Sequence, residues 1–61
     1  MDYSDELTFD NIAVGKTAHF FDSVLEKWRD VKIIGWSEDS VDTEEIDTGT
    51  SITGPFHMFF V

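Results

Sequence analysis

The 61-residue chain has no cysteine, one proline, and four basic residues against thirteen acidic ones. Without cysteine there are no disulfides and no thiolate metal centres, the usual staples of mini-proteins, so the aromatic residues must build the core. This also suits a reducing cytoplasm. No apolar run approaches the roughly 20 residues of a membrane helix, and Met1-Asp2-Tyr3-Ser4-Asp5-Glu6 is acidic where a secretory leader would be basic. The scarcity of Lys and Arg leaves a formal charge of -9. That charge repels phosphate backbones and anionic lipid, which argues against direct nucleic-acid or membrane-surface binding and makes a basic protein the natural partner.

What is present indicates a folded domain. The apolar share is 41%, with six Phe and two Trp, too many sticky side chains for a disordered acidic tail. A chain this short buries only about 60% of its unfolded surface, enough for one small core and not for a two-domain catalytic cleft. There is no internal repeat, low-complexity tract or linker, so residues 1–61 read as a single small acidic domain.

The strongest periodic signal lies between Ala18 and Val31. A helical wheel places Ala18, Phe20, Phe21, Val24, Leu25, Trp28 and Val31 on one half and only polar residues on the other, predicting an amphipathic helix over about 18–31 with Thr17 as N-cap. Strand alternation fits the stretch badly, because Ser23, Lys27 and Arg29 would share the face of Phe21 and Leu25. Before the helix, residues 7–14 read as a kinked or bulged strand around Asp10-Asn11. After it, residues 31–36 and 41–46 suggest a hairpin across Ser37-Glu38-Asp39-Ser40, although 41–47 could equally begin a helical turn. Residues 51–53 and the apolar Phe56-His57-Met58-Phe59-Phe60-Val61 complete the pattern. The expected fold is α+β, the helix packed on a small, mostly antiparallel sheet of three or four strands. On that reading Trp28→Ala or Phe21→Ala, at about 3–5 kcal/mol each, would unfold the domain.

Three motifs invite chemistry and do not sustain it. Val14-Gly15-Lys16-Thr17 resembles the end of a phosphate-binding P-loop. The position four residues before the Gly-Lys pair, where that motif needs glycine, is Asp10, so the segment reads as a turn and a cap. His19 and Asp22, three apart on one helix face, offer two metal ligands and His57 a distant third, which do not make a site; no metal and no cofactor is expected. Carboxylates and hydroxyls abound, but so small a chain can hardly enclose the cleft that shifts catalytic pKa values, and no enzyme activity is expected.

The acidic run from Glu38 to Asp47 is the remaining feature. Six of its ten residues are acidic (Glu38, Asp39, Asp42, Glu44, Glu45 and Asp47), and no Lys or Arg follows Lys32. Alternate carboxylates on a strand, Asp42 with Glu44 or Glu45 with Asp47, stand about 6.6–6.8 Å apart. DNA phosphates rise about 3.4 Å per nucleotide along a strand, so the charge density is comparable. Such a row would face the Lys and Arg of a nuclease, polymerase or repressor, with Trp36 beside it as an aromatic anchor. Asp22, Glu26 and Asp30, at i, i+4 and i+8, would add a second acidic stripe on the helix.

Stand-alone chains of this size and charge resemble, in kind only, the phage and mobile-element inhibitors of host polymerases, restriction enzymes and CRISPR effectors, which act in the host cytoplasm. No motif carries a specific family resemblance, and no functional residue is transferred from one. The leading expectation is therefore a small acidic protein that blocks a basic nucleic-acid-binding protein by partial nucleic-acid mimicry. The alternative is a structural or assembly protein that pairs residues 56–61 with a second copy or a larger subunit.

Overall fold

The computed structural model describes residues 5–61; residues 1–4 of the acidic N-terminal stretch 1–6 lie outside the described residues. Five strands follow in chain order: β1 (Thr17–Asp22), β2 (Lys27–Trp36), β3 (Val41–Glu45), β4 (Ser51–Gly54) and β5 (Phe59–Phe60). A single 3-10 turn, Phe56–Met58, precedes β5. They form one sheet in the order β4-β3-β2-β1-β5, with every neighbouring pair antiparallel. There is no α-helix among the described residues. The domain is all-β, and both the α+β class and the amphipathic helix over 18–31 are overturned.

Where the helix was expected, β1 and β2 form a hairpin that sets Ala18 opposite Val31 and Phe21 opposite Trp28. Its turn is made by two local devices. Asp22 Oδ1 accepts the N–H groups of Val24 at 3.0 Å and Leu25 at 3.1 Å, an Asx turn that competes directly with helical bonding. Glu26 adopts φ +53°, a left-handed conformation that no right-handed helix continues through. The flanking Phe, Trp and Val residues are strand formers. Residues 23–26 are the turn and interrupt the alternation, so Arg29 does not share the face of Phe21: Phe21 is outward, and the Arg29 side chain points inward between two carboxylates.

Other expectations divide. Thr17 opens β1 and caps nothing. Residues 7–14 are turns, not a kinked strand, after a single bridge between Glu6 and Phe60. Asn11 fastens them, accepting the Thr8 N–H at 2.7 Å on Oδ1 and donating from Nδ2 to the Glu6 carbonyl at 3.1 Å. The hairpin across 37–40 is present, closed by Ser37 N–H to the Ser40 carbonyl at 2.9 Å, with a bulge between Ile33 and Gly35. Its second arm, β3, is a strand with Val41, Thr43 and Glu45 inward and Asp42 and Glu44 outward.

The inner face carries the core: Leu7, Ala18, Val31, Ile33, Val41 and Phe59 are all fully buried. The sheet's two edges, β4 and β5, are joined by only residues 55–58, three of them coiled in the 3-10 turn. In a flat five-stranded sheet the edges would stand about 19 Å apart, at roughly 4.8 Å per spacing. A coiled connection rising about 2 Å per residue cannot span that. The sheet therefore curls into a half-barrel. Phe59 fills the closure: its ring lies 3.6 Å from where a Cβ on Gly54 would stand and 5.2 Å, centroid to centroid, from Phe20.

Trp28 and Phe21, expected in the core, are on the outer face, 41% and 37% exposed. Trp28 meets Phe21 edge-on at 5.3 Å and Phe60 at 5.7 Å. Substitutions there do not strike the core; Phe59 is the aromatic on which the closure rests.

Candidate acidic interface

Parity sorts the carboxylates into two populations. Glu45 and Asp22 face inward, where Arg29 joins them: Nε and Nη2 donate to Glu45 Oε2 and Oε1 at 2.7 and 2.8 Å, and Nη1 donates to Asp22 Oδ2 at 2.9 Å. Thr48 Oγ1 donates a further bond to Glu45 Oε1 at 2.6 Å. Side-chain exposure is 19% for Arg29, 16% for Asp22 and 7% for Glu45, so this is a planar, two-pronged pairing in a largely desolvated corner. Arg29 holds the Glu45 carboxyl below its usual range, with Thr48 assisting. The Leu25 N–H is the main cause that lowers Asp22, with Arg29 adding to it, and Glu45 is the main cause that raises Arg29. This triad ties β1, β2 and β3 together at one end of the core.

The outward population is different. Asp42 and Glu44 point to solvent from β3, Glu38 and Asp39 lie in the turn before it and Asp47 in the turn after it, all exposed. Asp42 accepts a 3.2 Å bond from Thr53 Oγ1, and the register sets Lys32 opposite Glu44. Asp42 and Glu44 share the outward face of β3, whereas Glu45 and Asp47 do not form a pair, since Glu45 is inside. With the helix gone, Asp22, Glu26 and Asp30 make no stripe: Asp22 is inward, Glu26 sits in the hairpin turn, and Asp30 faces outward with His19 Nδ1 at 2.8 Å from its Oδ1. His19 and Asp22 thus lie on opposite faces of β1. Among the described residues no group of three His, Asp or Glu side chains could hold a metal ion. Trp36, at the end of β2 and paired with Val41, is 39% exposed.

Beside Glu38 and Asp39 the surface is concave. An open groove of about 410 Å³ runs between the turn after β2, the N-terminal segment and the 3-10 turn, and its lining includes the carboxylates of Glu6, Glu38 and Asp39, the rings of Phe9 and Phe56, and His57. The two rings lie 4.7 Å apart, tilted by 46°. Glu6, Phe9 and Phe56 have no signal in the sequence that groups them with Glu38; the curl of the sheet brings them together.

The apolar 56–61 segment is engaged inside the chain. Phe59 and Phe60 pair with β1 on one side. On the other, the Leu7 N–H donates to the Phe59 carbonyl at 2.9 Å and the Val61 N–H to the Asp5 carbonyl at 2.8 Å. Among the described residues no helix is long and apolar enough to cross a membrane.

The chain matches no protein-family model, and no curated protein or solved structure gives a significant match. The likeness in kind to phage and mobile-element inhibitors therefore gains no support from any relative.

Proposed function

We propose that the protein is an acidic interaction module that binds a basic partner protein, of the kind whose surface ordinarily holds nucleic acid, through the outward carboxylates of β3 and its two flanking turns. The observation that supports this is the row itself: Glu38, Asp39, Asp42, Glu44 and Asp47 are exposed along one strand and its turns, and Lys32 is the one cation in register with them. Removing the internally paired Arg29, Asp22 and Glu45 from the count leaves 13 − 2 = 11 acids and 4 − 1 = 3 bases, a net of -8. Internal pairing thus consumes little of the charge. Opposite such a surface, Lys and Arg gain steered association and charge-assisted bonds, at low desolvation cost because both sides stay near water.

The test is competition with duplex DNA for immobilised basic nucleases and polymerases. Binding is expected to weaken steeply between about 50 and 200 mM salt. The Asp42→Asn/Glu44→Gln variant should bind less and show a shallower salt slope. Binding that is indifferent both to salt and to this variant would refute the reading.

A further inference from the structure

We infer that the groove beside the acidic row is a receptor for a single arginine side chain of the basic partner, the aliphatic stem and guanidinium lying on Phe9 and Phe56 and the charge facing Glu6, Glu38 and Asp39. This rests on the acidic-interface reading and adds an address to it.

The groove has both halves of what arginine presents. Phe9 is 62% exposed, although a ring of that size is normally buried, and it is held by contact with Phe56 in a wall that a flat, weakly hydrated cation stacks against. Glu6, Glu38 and Asp39 are exposed and form no hydrogen bond or ion pair through their carboxylates among the described residues. None of the four Lys and Arg residues lines the groove, so no lysine or arginine among the described residues meets its charge. A volume of about 410 Å³ exceeds what one side chain fills and lies in the range of small-ligand clefts, which leaves space for the main chain that carries the arginine. Arginine fits better than lysine. Its guanidinium stacks on aromatic faces while its fork of N–H groups reaches two carboxylates at once, whereas an ammonium is a strongly hydrated point charge. The exposed row then supplies long-range attraction and the groove supplies the anchor, the division of labour usual at interfaces where a few buried aromatic and arginine contacts dominate.

The probe is a blocked Gly-Gly-Arg-Gly-Gly peptide titrated into the labelled protein, with amide shifts read by NMR, beside the same peptide carrying lysine or the uncharged isostere citrulline. Arginine peptide should shift amides of Phe9, Glu38, Asp39 and His57 together, lysine should bind more weakly, and citrulline should leave them unmoved. Phe9→Ala, which alters no charge and removes a mostly exposed ring, should weaken arginine binding about three- to fivefold, the size of an exposed cation–aromatic contact. Glu38→Gln/Asp39→Asn should weaken it by about fivefold or more. Shifts centred on Asp42 and Glu44, equal binding of lysine, or full affinity in Phe9→Ala with its native amide spectrum intact would overturn the groove. Because Phe9→Ala is charge-neutral, that failure is separable from failure of the acidic row, which is read from salt and from Asp42→Asn/Glu44→Gln.

Discussion

Replacing Phe59 by alanine should unfold or nearly unfold this protein, while the same change at its neighbour Phe60 should not. Phe59 is fully buried, packs on Phe20 and meets Gly54 where the two edges of the sheet converge. Truncating a phenylalanine in such a site costs about 3–5 kcal/mol, the lost transfer energy plus the cavity left behind. At about 0.05–0.15 kcal/mol per residue, a domain of this length holds roughly 3–9 kcal/mol in total. In so small a domain each kcal/mol is worth about 4–8 °C in Tm, so a loss of at least about 12 °C is expected, with unfolding at 25 °C if the parent's stability is at the low end of that range, no greater than the loss itself. Phe60 is one residue away but on the outer face, half-buried against Trp28. Its removal forfeits an edge-on aromatic pair of about 0.5–1.5 kcal/mol and some partial burial. Urea unfolding followed by far-ultraviolet circular dichroism measures both variants without relying on Trp28 fluorescence, which Phe60→Ala perturbs directly. Equal losses in the two variants, or a larger one in Phe60→Ala, would refute the assignment of inner and outer faces on β5.

Three further outcomes follow from the buried triad and the turn. Glu45 and Asp22 have folded-state pKa values below their ordinary 4.5 and 3.8, so the unfolded chain binds more protons in the window below those values. Their stabilisation is complete above about pH 5 and is lost as pH falls through the lowered folded values. The difference in urea midpoint between the parent and Glu45→Gln, a comparison that cancels general charge repulsion, should shrink as pH drops from 6 toward 3; a constant difference would refute it. Arg29→Leu should behave oppositely: it leaves two inward carboxylates without their cation, Glu45 the more affected because Asp22 keeps the Val24 and Leu25 N–H bonds, and should gain stability on mild acidification. Finally, Glu26 adopts a left-handed backbone at φ +53°; Glu26→Gly should raise stability by about 0.5–1 kcal/mol, the relieved strain less the added freedom of the unfolded chain, and a fall in the urea midpoint would show that the turn is held otherwise.

The hairpin on either side of 37–40 was legible because its signals are local: β-branched arms, a polar Ser-Glu-Asp-Ser turn, and a register fixed by two residues at the ends. The stretch 18–31 misled because a strand, a four-residue turn and a second strand placed their apolar residues so as to mimic a 3.6-residue period. The deciding features were the Asx turn at Asp22 and the left-handed Glu26. The first is common in many contexts and the second is not written in the residue type at all. The acidic run was legible as charge but not as surface. Glu45 looked like any other member of it, and only strand parity and an arginine arriving from β2 took it inside. The groove was the least legible, since its walls come from both ends of the chain and exist only once the sheet has curled.

Composition alone decided that this chain is cysteine-free and strongly acidic, because those properties are sums over residues and survive any arrangement of them. Tertiary structure decided that the buried core is mainly aliphatic, with Phe59 its one aromatic among the described residues and not the aromatic core expected from composition, and it decided which two carboxylates are neutralised by Arg29 and which remain in water. The physical reason is that facing in a sheet is set by pairing partners, bulges and turn lengths, so inward positions are even in β1 and odd in β2 across one four-residue turn.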